Sequence, residues 1–347
     1  MKKLLTTSAL AGALTFVAAT ASVAQTTISG SLDLTLRSQS FSASQGASSD
    51  NLFGRETQIN VSNKGKLNNG MDYAAGFSLE FDGGGSLAEG AGSTSNENVY
   101  INLISGSTTL TFGVDHIQNP KQDLLNSTID ILDEAITVSG SSFDYSNGGI
   151  AKESIGAGIV QTLAPGVTAS VWYAPNARNE GTANDGTAIT ASNDSSNANG
   201  NGVYEIGLRA KNIGNSGLDV EAWNSSRQKG VSDTSDETGR ALSLNYTKGA
   251  FGVGAALIKN KSATSVEKDI KLGHLTYAMS KDLSASLVYG VVDLQNGTAD
   301  EKLTGIQIGY NLGPIGVGLA VTKQENIGAL IAGGDVDMAV IKVGAKF

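Results

Sequence analysis

Cysteine is absent from all 347 residues, so neither disulfides nor thiolates contribute to the stability or chemistry of the chain. Histidine occurs only as His116 and His274, and neither stands near a second ligand at metal-binding spacing. No glycine-rich phosphate loop is present, because the GPIGVG at residues 313–318 falls in a strand pair instead of preceding a helix. Lysine and arginine form no cluster, and acids outnumber bases 33 to 24, which excludes nucleic acid as a partner. After residue 24 no window approaches the roughly 18 consecutive apolar residues that a membrane-spanning helix needs.

What is present begins with export. Residues 1–24 run from Lys2 and Lys3 through a short apolar stretch to small residues, the pattern of a cleaved secretory signal. Its removal leaves 22 basic and 33 acidic residues, a net charge of −11 over residues 25–347.

The hydrophobic pattern then has a period of two. Ile28, Gly30, Leu32, Leu34 and Leu36 fall on one face of an extended segment, and Ser29, Ser31, Asp33, Thr35 and Arg37 on the other. Tyr73, Ala75, Phe77, Leu79 and Phe81 repeat the pattern, as do Leu283 to Val291 and Ile315 to Val321. The chain is therefore all-β. A soluble sandwich or solenoid would bury the apolar face, whereas a membrane barrel turns it toward lipid.

Connection lengths separate the two. Short links fall near residues 63–70, 105–107, 164–166, 212–217, 247–250, 280–282 and 312–314. Longer polar ones fall at 39–54, 83–96, 116–152, 175–202, 228–239, 261–266, 296–300 and 327–336. They alternate strictly, so seven short and eight long links join sixteen strands with both termini on the short-link side. That sorting predicts a transmembrane antiparallel β-barrel with short periplasmic turns and long extracellular loops. Tyr73, Tyr246, Phe251, Tyr310 and Phe347 sit near the short-link side on the apolar parity, where ring side chains favour the interface between lipid and water. The terminal Phe347 ends a strand that must pair with the first, since lipid tolerates no free edge.

The stretch INVSNKGKLNNGMDYAAGFSLEF (residues 59–81) resembles the second and third strands of Gram-negative general porins around their K-G-x-L-x-N-G turn. NVYINLISGSTTLTFGVDH (residues 98–116) is similar to the next strand pair, and the final aromatic resembles that family's outer-membrane assembly signal. The resemblance implies a water-filled homotrimeric diffusion channel in the outer membrane, surrounded by lipid and lipopolysaccharide. It passes small hydrophilic solutes and ions without a cofactor, and its third outer loop folds into the lumen.

Residues 116–152 are the candidate for that loop. Ile129, Ile131, Leu132 and Ile136 among its acids predict packing against the barrel wall, with Asp123, Asp130, Asp133 and Glu134 lining the constriction. The polar parity of the second to fifth strands supplies Gln58, Asn60, Glu80, Asn98, Tyr100, Asn102, Thr109 and Thr111, with no cation. Lumen-wall cations are expected at Arg37, Arg209, Lys211, Arg227 and Lys342. With five acids against two bases in residues 116–152, the expected preference is for cations. A barrel enzyme of the lipase or protease type and a surface adhesin are the alternatives, and bilayer conductance separates them from a channel.

Overall fold

The computed structural model describes residues 24–42, 49–83, 93–114, 143, 155–176, 202–227, 235–262, 265–329 and 334–347. Residues 1–23 of the expected signal, and all of 116–152 except Phe143, lie outside the described residues.

Sixteen strands follow one another: β1 (Gln25–Phe41), β2 (Ser49–Lys66), β3 (Asp72–Gly83), β4 (Ser93–Ser105), β5 (Thr108–Val114), β6 (Ile155–Ala164), β7 (Val167–Asn176), β8 (Val203–Ala210), β9 (Leu218–Arg227), β10 (Glu237–Lys248), β11 (Phe251–Lys261), β12 (Glu267–Ala278), β13 (Leu283–Leu294), β14 (Glu301–Asn311), β15 (Ile315–Glu325) and β16 (Val336–Lys346). Each pairs antiparallel with its neighbours in sequence, and β1 pairs with β16 to close the ring. β1 and β2 run further toward the long-link side than their sequence predicts, so the link between them shortens to residues 42–48. The tight turns use left-handed backbone at Gly70, Gly106, Gly166, Gly217, Gly249 and Gly313, a conformation that costs glycine little.

The parity of each strand has physical consequences because a closed sheet has less room on its concave side. In β14, Lys302, Thr304, Ile306, Ile308 and Tyr310 are exposed, whereas Glu301, Leu303, Gly305, Gln307 and Gly309 are buried. The outward face is an apolar band made of side chains such as Leu34, Phe77, Val253, Leu287 and Val343. Tyr246, Phe251, Tyr277, Tyr310 and Phe347 bound it on the short-turn side, with the rings of Phe251 and Tyr277 4.7 Å apart. Toward the long links it ends in outward-facing charges: Lys259 meets Glu267 at 3.1 Å and Lys323 meets Glu325 at 2.8 Å. Aromatic rings on one rim and ion pairs on the other delimit a membrane-facing belt.

The seam is continuous to the last residue. The Gly30 N–H donates to the Phe347 carbonyl at 2.7 Å, and the Phe347 N–H donates to Gly30 at 3.0 Å. The ring of Phe347 lies over the outward side of Gly30, where a Cβ would come within 2.6 Å of it.

Candidate functional site

The barrel interior is the candidate site, and its wall is of two kinds. On β1–β5 the inward parity is largely polar, and β16 adds Lys342 to it. Gln58 donates to Glu80, the Ser78 hydroxyl donates to Asn60 at 2.6 Å, and the Thr111 hydroxyl donates to Asn102 at 2.6 Å. Directly paired residues in an antiparallel sheet point the same way, so Asp33 and Glu56 stand side by side on this wall. Lys342, across the seam, lies 3.1 Å from Asp33.

Two more cations sit on adjoining strands farther round. Arg209 on β8 forms a forked pair with Glu221 on β9, Nε to Oε1 at 3.0 Å and Nη2 to Oε2 at 3.1 Å. Arg227 on β9 places Nη2 2.7 Å and Nε 3.0 Å from the Oε2 of Glu237 on β10. Arg227 is almost wholly buried, and a guanidinium there is tolerated because a carboxylate faces it. So Arg209, Arg227 and Lys342 each stand beside an acid on a neighbouring strand, and no uncompensated basic patch forms from them.

Beyond these pairs the inward parity turns apolar. Trp223, Ala241, Ala256, Ile258, Ile270, Leu272, Val288, Val292 and Leu303, all on β9–β14, form one buried cluster, and its remaining member is Phe143. Phe143 belongs to the connection that leaves β5, and β13 lies eight strands from β5 in a ring of sixteen, directly across the lumen. Gly290 on β13 is the floor beneath the ring: a Cβ there would meet Phe143 Cε1 at 2.7 Å and Cζ at 2.9 Å.

A smaller inward cluster joins Ile327, from the connection between β15 and β16, to Ala320, Val336, Met338 and Val340. The buried Glu301 carboxylate accepts the Gly328 N–H at 2.9 Å, which ties that connection down. At the short-turn mouth, a cavity of about 540 Å³ opens between Lys64, Asp72, Tyr100 and Asn102.

Arg37, Glu80, Arg209, Arg227 and Lys342 therefore share the inward face. Lys211 does not. The chain leaves β8 at Ala210 and Asn212 adopts left-handed backbone, so Lys211 is exposed in the turn, where strand parity no longer applies. Asn98 sits with φ of 52° at a register shift between β3 and β4, which interrupts the alternation assumed for it. His274 lies in an unbroken ladder, and the lapse in alternation around it arises because Leu272 belongs to the apolar inner wall. Asp123, Asp130, Asp133 and Glu134 lie outside the described residues.

Sequence reasoning passed over Asp33, Glu56, Glu221, Glu237 and Phe143. The three glutamates and Asp33 were visible as polar-parity residues on strands bearing or adjoining the cations. Phe143 carried no periodic signal. Among the described residues no group of His, Asp and Glu is placed to hold a metal ion.

A family model described as Gram-negative porin matches residues 6–326. Among solved structures, the chain is similar to an anion-selective porin from Comamonas acidovorans, with a TM-score of 0.71 and 13% identity over 94% of this chain and 100% of that one. It is also similar to Salmonella typhi OmpF in complex with daunomycin, with a TM-score of 0.68 and 12% identity over 93% and 98% of the two chains. A mutant Rh. blastica porin gives a TM-score of 0.60 and 16% identity over 92% and 100%. At these identities the likeness is one of fold. Comparison with curated protein sequences gives no match.

Proposed function

The chain belongs to the Gram-negative porin family of the outer membrane, and from that premise we propose that it is a passive channel for small hydrophilic solutes and ions with a preference for cations. The observation that carries the channel is the closed ring with a lipid-compatible outer face and a largely polar inner wall on β1–β5. The sign of selectivity rests on charge. A barrel of the same fold is described as anion-selective, so the fold itself does not fix the sign. Here Lys342, Arg209 and Arg227 are offset by carboxylates, and residues 116–152 carry five acids against two bases. Inside a low-dielectric tube such an excess concentrates cations.

We read residues 116–152 as entering the lumen, with Asp123, Asp130, Asp133 and Glu134 at the constriction. The support is Phe143, seated on the wall opposite the strand from which the connection departs. Residues 1–24 direct export, Phe347 serves as the assembly signal, and the working unit is a homotrimer in contact with lipopolysaccharide. The fit of the Phe347 ring over Gly30 supports a dedicated seat for the terminal aromatic. Family membership weakens the enzyme and adhesin readings.

The test is reversal potential across a KCl gradient with purified protein in a planar bilayer. Stepwise conductance with cation preference is expected. Absence of conductance would sink the channel, and anion preference would sink the sign. Replacing Asp130, Asp133 and Glu134 by Asn, Asn and Gln should lower the cation preference about twofold or more in dilute salt.

A further inference from the structure

The inner wall of β12–β14 holds a socket for one aromatic ring, and we propose that Phe143, seated in it, is the positioning residue that fastens the third outer connection across the lumen and so sets the channel's width. The proposal rests on the channel reading for its consequence, but on geometry for its existence.

Phe143 has no exposed surface, although it belongs to a connection and not to a strand. The buried cluster to which it belongs is inward-facing wall and includes Leu272 on β12, Val288 and Val292 on β13, and Leu303 on β14. Side chains on that parity face water in an empty tube, so an apolar patch there is unfavourable unless something covers it. Gly290, between the two valines, completes the socket by lacking a side chain. A methyl group at 290 would lie 2.7 Å from the Phe143 ring and equally close to Leu272 Cδ2. Leu272 can rotate away from such a group, but the ring is backed by the remainder of the cluster and must leave.

Position strengthens the case. Because β13 stands halfway round the ring from β5, a contact there fixes residue 143 on the wall opposite the strand from which its connection departs. Polar anchors would compete with water filling the channel, whereas an apolar ring in an apolar socket is held more firmly because water surrounds it.

The experiment compares Phe143→Ala, Phe143→Leu, Gly290→Ala and the Phe143→Ala/Gly290→Ala double variant, each shown to be a folded barrel by heat-modifiable gel migration. Two readouts are taken: single-channel conductance with the size limit for neutral sugars, and the rate of protease cleavage within residues 116–152. Phe143→Ala and Gly290→Ala should each raise conductance about twofold and widen the sugar limit, while Phe143→Leu stays close to the parent. The double variant should match Phe143→Ala, because the added methyl group no longer has a ring to displace. Benzene should return the Phe143→Ala channel toward parental conductance by refilling the socket.

Parental conductance in a folded Phe143→Ala channel overturns the role in setting width, and fully additive effects in the double variant overturn the socket. If the parent itself does not conduct, the channel reading fails. The cleavage rate then decides the fastening alone: several-fold faster in both single variants supports it, and unchanged overturns it.

Discussion

The inner faces of β1–β5 and of β9–β14 belong to one continuous sheet, yet the first presents Asp33, Gln58, Asn60 and Glu80, and the second Ile258, Leu272, Val288 and Leu303. Their outer faces scarcely differ, both being rows of exposed leucine, isoleucine, valine and aromatic residues. Lipid imposes one chemistry on the whole outside, because every outward position at a given depth meets the same solvent. The inside answers to whatever each stretch faces. The polar wall satisfies its groups through cross-strand hydrogen bonds, whereas the apolar wall packs in one cluster with Phe143. An apolar patch on the inner surface of a channel is thus an imprint of the segment that covers it.

The contrast can be broken most severely by placing a charge on the apolar wall. Leu272→Asp sets a carboxylate among Ile270, Val288 and Phe143 with no cation in that cluster, at a cost of about 3 kcal/mol or more. Its urea midpoint in detergent should fall well below that of Asn60→Leu on the polar wall, for which a loss of about 1 kcal/mol is expected. Equal midpoints would mean that the two walls are not distinct environments.

A middle-sized effect separates the ion pairs. Arg227 is 2% exposed and Glu237 26%, while Lys342 and Asp33 are 22% and 27% exposed. Arg227→Met should therefore destabilise the barrel by about 2 kcal/mol, discounted for the partial exposure of Glu237. Lys342→Met should cost about 0.5 kcal/mol. Lys342→Met should act on permeation instead, because Asp33 is left uncompensated on the polar wall. Its reversal potential should move toward cations at low salt, and the shift should shrink as Debye screening tightens. The smallest effect belongs to Lys211→Gln, which should leave stability and reversal potential within error, because that side chain lies in the turn beyond β8. A measurable loss of stability there would return Lys211 to the wall.

The same asymmetry explains what could be read from the sequence. Strand number and the outward parity were legible because lipid enforces one rule throughout: Leu32, Leu34 and Leu36 alternate as cleanly as Ile306, Ile308 and Tyr310. The inner wall was legible only where it is wet. Around Ile270 and Leu272 both parities carry apolar residues, and the outward Lys271 adds to the confusion, so β12 reads as a slipped strand although its ladders are regular. Arg209 and Lys342 lie on the inward parity, but their partners could not be read, since pairing Arg209 with Glu221 or Lys342 with Asp33 requires the register as well as the parity. Lys211 was misplaced by extending parity one residue past the strand. Phe143 could not be found by any period, because its place is fixed by a cavity assembled from several distant strands.

The joint between Ser31 and Lys346 carries a consequence for biogenesis. Every other ladder unites consecutive strands, whereas this one unites the first with the sixteenth and so closes across the largest sequence separation in the sheet. Until it forms, two unsatisfied borders persist, inviting pairing with any passing strand. Closing the ring removes both borders at once and brings the ring of Phe347 onto the bare backbone of Gly30.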